Sequence, residues 1–152
     1  MPTFRFSHLW DLDVPASSVF AALADVERYP TWWPQVRSAE RIDADSGRTA
    51  IRSFLPYTLE LVLRRTVEDE STGTLRVEVT GDLEGWCCWV VGDRDEGPGT
   101  RARFEQEARV TPHLLARTAW LTGPLLKANH AWMMRCGHEG LAAHLACGRS
   151  PG

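Results

Sequence analysis

Three polar side chains of this chain fall where the surrounding pattern asks for apolar ones. Gln106 lies between Phe104 and Ala108 in the alternating run TRARFEQEARV, on the face that also carries Ala102 and Val110. Asn129 falls on a helical stripe with Leu125, Trp132, Met133, Cys136, Gly140, Ala143 and Cys147. His8 shares a strand face with Phe4, Phe6, Trp10, Leu12 and Val14. An amide turned into apolar surroundings costs about 1–3 kcal/mol unless it is hydrogen-bonded. Gln106 and Asn129 therefore either orient a ligand on a cavity wall or satisfy a strand carbonyl or a bound water. His8 is the best-placed general base, and a satisfied core or rim histidine is the competing reading.

The other reactive residues make no familiar set. His130, His138 and His144 read as lying off the apolar stripe or at its edge, and no two histidines stand at i, i+4, so neither a metal site nor a cofactor is expected. The four cysteines, Cys87, Cys88, Cys136 and Cys147, have no metal-ligand spacing. Neighbours in a strand point to opposite faces, so Cys87 and Cys88 are expected to stay reduced. The same alternation lets one ring of Trp86 and Trp89 face inward; with Cys87 inward, that ring is Trp89. Trp132 and Met133 are core fillers or, given the adaptable shape of methionine, part of an apolar ligand wall. There is no Ser-His-Asp order, no G-x-S-x-G, no phosphate-cradling glycine loop and no credibly inward carboxylate pair, and no catalytic residue is assigned.

Composition sets the outer bounds. With 152 residues, 43% of them apolar, the chain can build one sizeable core, and a net charge of -3 supplies no basic field for nucleic acid. No run of 18 apolar residues and no signal-peptide pattern is present, so a soluble cytoplasmic protein without an integral membrane segment is expected, as monomer or homodimer. Seven tryptophans are many for this length. Such rings bring large apolar area at low rotamer cost, to a core or to a cavity.

The elements that must hold these side chains read in order. Phe4 to Val14 alternates as a strand; Pro15 opens a helical segment with Val19, Phe20 and Leu23 on one side; Pro30 and Pro34 stop it, leaving two short helices and an aromatic plug of Tyr29, Trp32 and Trp33. From Val36 to Val110 six strands fit between turn signals at 44–47, 55–56, 70–73, 82–85 and 95–99. Leu59, Leu61 and Leu63 mark one inner face and Leu75, Val77 and Val79 another. The stretch from His113 to Cys147 is the long helix, with Lys127 and His138 expected on the side away from its stripe. Nothing divides the chain, so residues 1–147 read as a single domain and 148–152 as a short flexible tail.

The segment LDVPASSVFAALADVERYPTWWPQV, a strand, a proline-led helix with V-F, then Y-P-x-W-W-P before the second strand, resembles the N-terminal signature of START-like helix-grip proteins of the polyketide cyclase/dehydrase and lipid-transport type. The element order is similar over nearly the whole chain. The resemblance implies an α+β helix-grip fold: a strongly curved, seven-stranded antiparallel sheet around a long C-terminal helix, with two short helices between the first two strands. It implies a cavity between helix and sheet for a hydrophobic small molecule, a lipid or an aromatic polyketide-like metabolite. The alternative is a cyclase/dehydrase that folds a poly-β-ketone chain for aldol closure and loss of water in the same cavity. Asn129, Gln106, Trp132, Met133, Trp89, Phe104 and His8 are the expected ligand contacts, with Trp33 closing one end of the grip.

Overall fold

Residues 3–53, 55–94, 97–117 and 123–148 are described by the structure, a computed structural model. The alternating N-terminal run forms β1, Thr3–Leu12, which ends two residues before its pattern suggested, because Pro15 already begins the next element. The Pro15 carbonyl accepts the N–H groups of Ser18 and Val19 at 3.0 and 3.3 Å and starts α1, Ala16–Ala24, which buries Val19, Phe20 and Leu23. Proline thus stands just outside the helix, in extended backbone, rather than in its first turn. A 3-10 helix, Val26–Thr31, follows and contains Pro30.

Six strands come next: β2 Val36–Arg41, β3 Ser46–Ile51, β4 Leu59–Asp69, β5 Thr74–Gly81, β6 Leu83–Asp93 and β7 Thr100–Val110. All neighbouring strands pair antiparallel in the order β1-β7-β6-β5-β4-β3-β2, so the first strand closes onto the last. Pairing lines up the inner face in rows. His8, Phe104, Trp89 and Leu75 form one row across β1, β7, β6 and β5, and Phe6, Gln106, Cys87 and Val77 form the next. The sheet is curved. At Gly85, which pairs with Val79 and Ala108, φ is +156° and a Cβ would lie 1.9 Å from the Glu107 carbonyl oxygen, so only glycine lets the strands come this close. A bulge between Arg65 and Val67 of β4 shifts the register on the far side.

A short helix α2, Pro112–Arg117, precedes α3, Gly123–Gly148, which lies against the concave face. The buried stripe of α3 is not the expected one. Met134, Gly137 and Leu141 are buried, with Leu126, His130, Met133 and Leu145 half-buried beside them, while Trp132 and Ala143 are exposed. The helix is rotated by about one residue, or 100°, from the reading that started at Leu125. Two glycines on the helix explain the choice of face. A Cβ on Gly137 would fall 2.4 Å from the Trp33 indole, and one on Gly140 would fall 1.9 Å from the Trp32 carbonyl oxygen. The expected plug is present, with Tyr29, Trp32 and Trp33 all buried, the two tryptophan rings stacked and the Tyr29 ring tilted against both. It joins Trp10, Trp89, Phe104, Met134 and Leu141 in one core cluster. The side chain of Cys147 and the tail 149–152 lie outside the described residues.

Candidate ligand cavity

Where the C-terminal half of α3 rests on the plug, its N-terminal half stands off the sheet and leaves a cavity of about 210 Å³. Its walls come from the inner rows: Leu61 and Leu63 of β4, Leu75, Val77 and Val79 of β5, Cys87 and Trp89 of β6, and Phe104 and Gln106 of β7. Met133, Met134 and His130 of α3 form the roof, and Trp33 and Tyr29 bound one end. Charged residues border it where the 3-10 helix faces the β2–β3 turn; there Glu27 and Arg41 form an ion pair across the gap. A second cavity of about 80 Å³ lies toward the start of α3, lined by Phe4, Phe6, Tyr57, Leu114, Leu126 and Asn129 among others.

The inward polar group with the fullest set of contacts is one that the sequence did not single out. His130 Nε2 lies 2.8 Å from Gln106 Oε1. With that oxygen facing the ring, Nε2 carries the hydrogen and donates it, which leaves Nδ1 as a buried acceptor with no partner among the described residues. The ring stacks on Phe6 at 3.6 Å between centroids and lies 5.4 Å from the ring of His8. Burial, reinforced by the neighbouring His8, pushes the His130 pKa down to about 3, so the imidazole is neutral at ordinary pH. Half-buried His8 is also lowered by desolvation. Thr49 of β3 is a second inward group without a hydrogen-bond partner for its hydroxyl among the described residues. Its strand alternation could have revealed it; His130 was hidden by the misplaced helix face.

The expected contacts sort cleanly. Gln106, Phe104, Trp89, Met133 and Trp33 do line the main cavity, and the inward pair of Cys87 and Trp89 is the one that the alternation allowed. Trp33 is held in place by its indole N–H, which donates to the Met133 carbonyl at 2.9 Å. Asn129 lines only the smaller cavity, and its side chain is already engaged: Oδ1 accepts the Leu55 N–H at 3.1 Å, while its own carbonyl accepts the Ser53 hydroxyl at 3.2 Å. The partner is a backbone N–H in the loop after β3, not the strand carbonyl or bound water expected as the alternative to ligand orientation. His8 borders neither cavity and instead flanks His130. Trp132 is 49% exposed and lines neither cavity, because the helix rotation turns it to solvent. His138, expected on the outer side, stacks on Trp10 at 5.5 Å and donates from Nε2 to the Asp11 carbonyl.

The chemistry of the remaining groups is quiet. Burial pushes the Cys87 thiol up to about 12, so it stays protonated and unreactive, and Cys87, Cys88 and Cys136 are free thiols. Among the described residues no three His, Cys, Asp or Glu side chains gather as a metal site, and no helix is long and apolar enough to cross a membrane.

Residues 12–132 match the family described as polyketide cyclase/dehydrase and lipid transport. Among solved structures, the chain is similar to the ZhuI aromatase/cyclase from Streptomyces sp. R1128, with 14% identity over 94% of this chain and 93% of that one and a TM-score of 0.74. A protein from Thermus thermophilus gives 19% identity, 94% and 99% coverage and a TM-score of 0.70. A START superfamily protein from Mycobacterium smegmatis gives 12% identity, 92% and 95% coverage and a TM-score of 0.69. No curated protein matches the chain in sequence.

Proposed function

Because the chain belongs to the polyketide cyclase/dehydrase and lipid-transport family, whose fold is one for hydrophobic ligands, we propose that it takes up an apolar small molecule, a lipid or an aromatic polyketide-like metabolite, between α3 and the curved sheet. The observation that carries this reading is the lining of the main cavity: aliphatic side chains of β4 and β5 on one wall, Trp89 and Phe104 on the other, methionines above, and Gln106 bonded to His130 as a polar feature at its inner end. Apolar enclosures with a few fixed polar groups are the usual form of small-molecule sites. Native mass spectrometry of the purified protein tests it. A co-purified apolar molecule recovered unchanged supports binding; an empty protein that also fails to take up added apolar compounds removes the reading.

A second reading, aldol closure and dehydration of a poly-β-ketone chain, draws on the same imidazole. With its N–H given to Gln106, the neutral ring has only Nδ1 to offer, which can accept a hydrogen bond from an enol hydroxyl. As a proton acceptor, however, a histidine held near pKa 3 is far from the neutral range where a general base works best. Binding is therefore the better-supported reading, and recovery of a cyclised product in the same mass spectrum would reverse the order.

A further inference from the structure

The two cavities share a wall. Ile51, Leu59, Leu83, Gln106, His130 and Met133 line both the 210 Å³ chamber and the 80 Å³ chamber. Four of these are apolar side chains that can shift aside. The other two are joined to each other by a 2.8 Å hydrogen bond that spans from β7 to α3. Neither end of that bridge is loose: Gln106 sits mid-strand, paired to Phe6 and Cys87, and the His130 ring is stacked on Phe6.

We propose that the His130–Gln106 pair is a partition that sets how long a ligand the protein accepts, by closing the small chamber to a molecule lodged in the main one. This rests on the reading that the main chamber binds apolar ligands. An apolar chain pushed past the partition must separate the pair and strand two buried polar groups, a loss of about tenfold or more in affinity. Within the main chamber, by contrast, each added methylene is buried at a gain of about fourfold. Affinity along a homologous series should climb and then stop at a defined length.

Straight-chain alkanols of increasing length, titrated calorimetrically, read that limit. For the unaltered protein the affinity rises and then levels or falls. In His130→Ala the bridge is gone, and the rise continues at about fourfold per carbon through several longer members. Gln106→Ala opens the same wall from the strand side and shows the same extension, which keeps the test decisive if the helix variant folds poorly. His130→Phe keeps a ring of similar size but removes the hydrogen bond, and its limit moves outward as in the alanine variants, because the ring is then one more apolar side chain that can shift aside. An unchanged limit in both alanine variants, or a limit in His130→Phe that stays at the original length, overturns the hydrogen-bonded partition while leaving ligand binding intact. Failure of the unaltered protein to bind any member of the series overturns the binding reading and the partition with it.

Discussion

Along α3, the half from Met134 to Leu145 meets the molecule in direct packing, whereas the half from Leu126 to Met133 spans open volume. In the first half the contacts are as close as the backbone allows: two glycines admit the Trp32 and Trp33 segment where no side chain would fit. In the second, half-buried side chains hold the helix off the sheet, tied by Trp33 to Met133, by His130 to Gln106 and by Asn129 to Leu55. The comparison teaches that one helix can be clamped at one end so that its other end roofs a cavity. The plug bears the stability that the empty half forgoes, since close packing is the larger contributor per residue.

Altering the clamp gives the largest expected effect. Gly140→Ala should raise helix propensity by about 1 kcal/mol. Instead the variant loses about 2–3 kcal/mol net in denaturant unfolding, because its Cβ would lie 1.9 Å from a backbone carbonyl that cannot move without dislodging the plug. An unchanged or higher midpoint would show that the clamp is not tight.

The roof is sensitive to acid through His130. Its folded pKa, about 3, lies below its ordinary 6.5, so the unfolded chain binds the proton first and stability is lost as pH falls from 6.5 toward 3. Between pH 7.5 and pH 5 this costs about 2 kcal/mol, and half-buried His8 adds in the same direction. His130→Leu should remove most of that slope; a slope that survives in the variant would place its origin elsewhere.

Asn129→Leu orphans the Leu55 N–H and should cost about 1–2 kcal/mol of stability with little change in affinity for an apolar probe. A drop in affinity with an unchanged melting temperature would return Asn129 to the ligand. The smallest effect belongs to Trp132. Although large and aromatic, it faces solvent, and Trp132→Ser should change stability by no more than about 0.5 kcal/mol. A loss several times larger, in the range of a core tryptophan, would put the helix back on the face that Leu125 suggested.

How far the sequence carried these features differs between sheet and helix. Strand alternation has a period of two, so a correct start fixes the later residues: Gln106 and Phe104 face inward as their pattern requires, and of the two faces that alternation leaves open in β6 the structure turns Cys87 and Trp89 inward. The helix offers a weaker constraint. A stripe counted from Leu125 gathers Trp132 and Met133 as anchors, yet one counted from Leu126 runs through His130, Met133, Gly137, Leu141 and Leu145, and the structure takes the second. The signal that separates them is the pair Gly137 and Gly140. Mid-helix glycines weaken a helix, and here they are needed where the aromatic plug abuts it. His130 sits one residue from Asn129, so a 100° rotation of the helix exchanges the two. The smaller chamber has no sequence signature, since it depends on the gap between α3 and the segment after β3.

The contrast between the two halves of α3 is tested most directly by nuclear magnetic resonance during titration with octanol. The expected result is that shifts and ligand-to-protein contacts concentrate on Val79, Cys87, Phe104 and Met133, while Trp32, Gly140 and Leu141 stay in place. Contacts confined to outer positions such as Trp132 and Leu9, with the cavity residues unmoved, would contradict the claim that this protein binds apolar molecules beneath its helix.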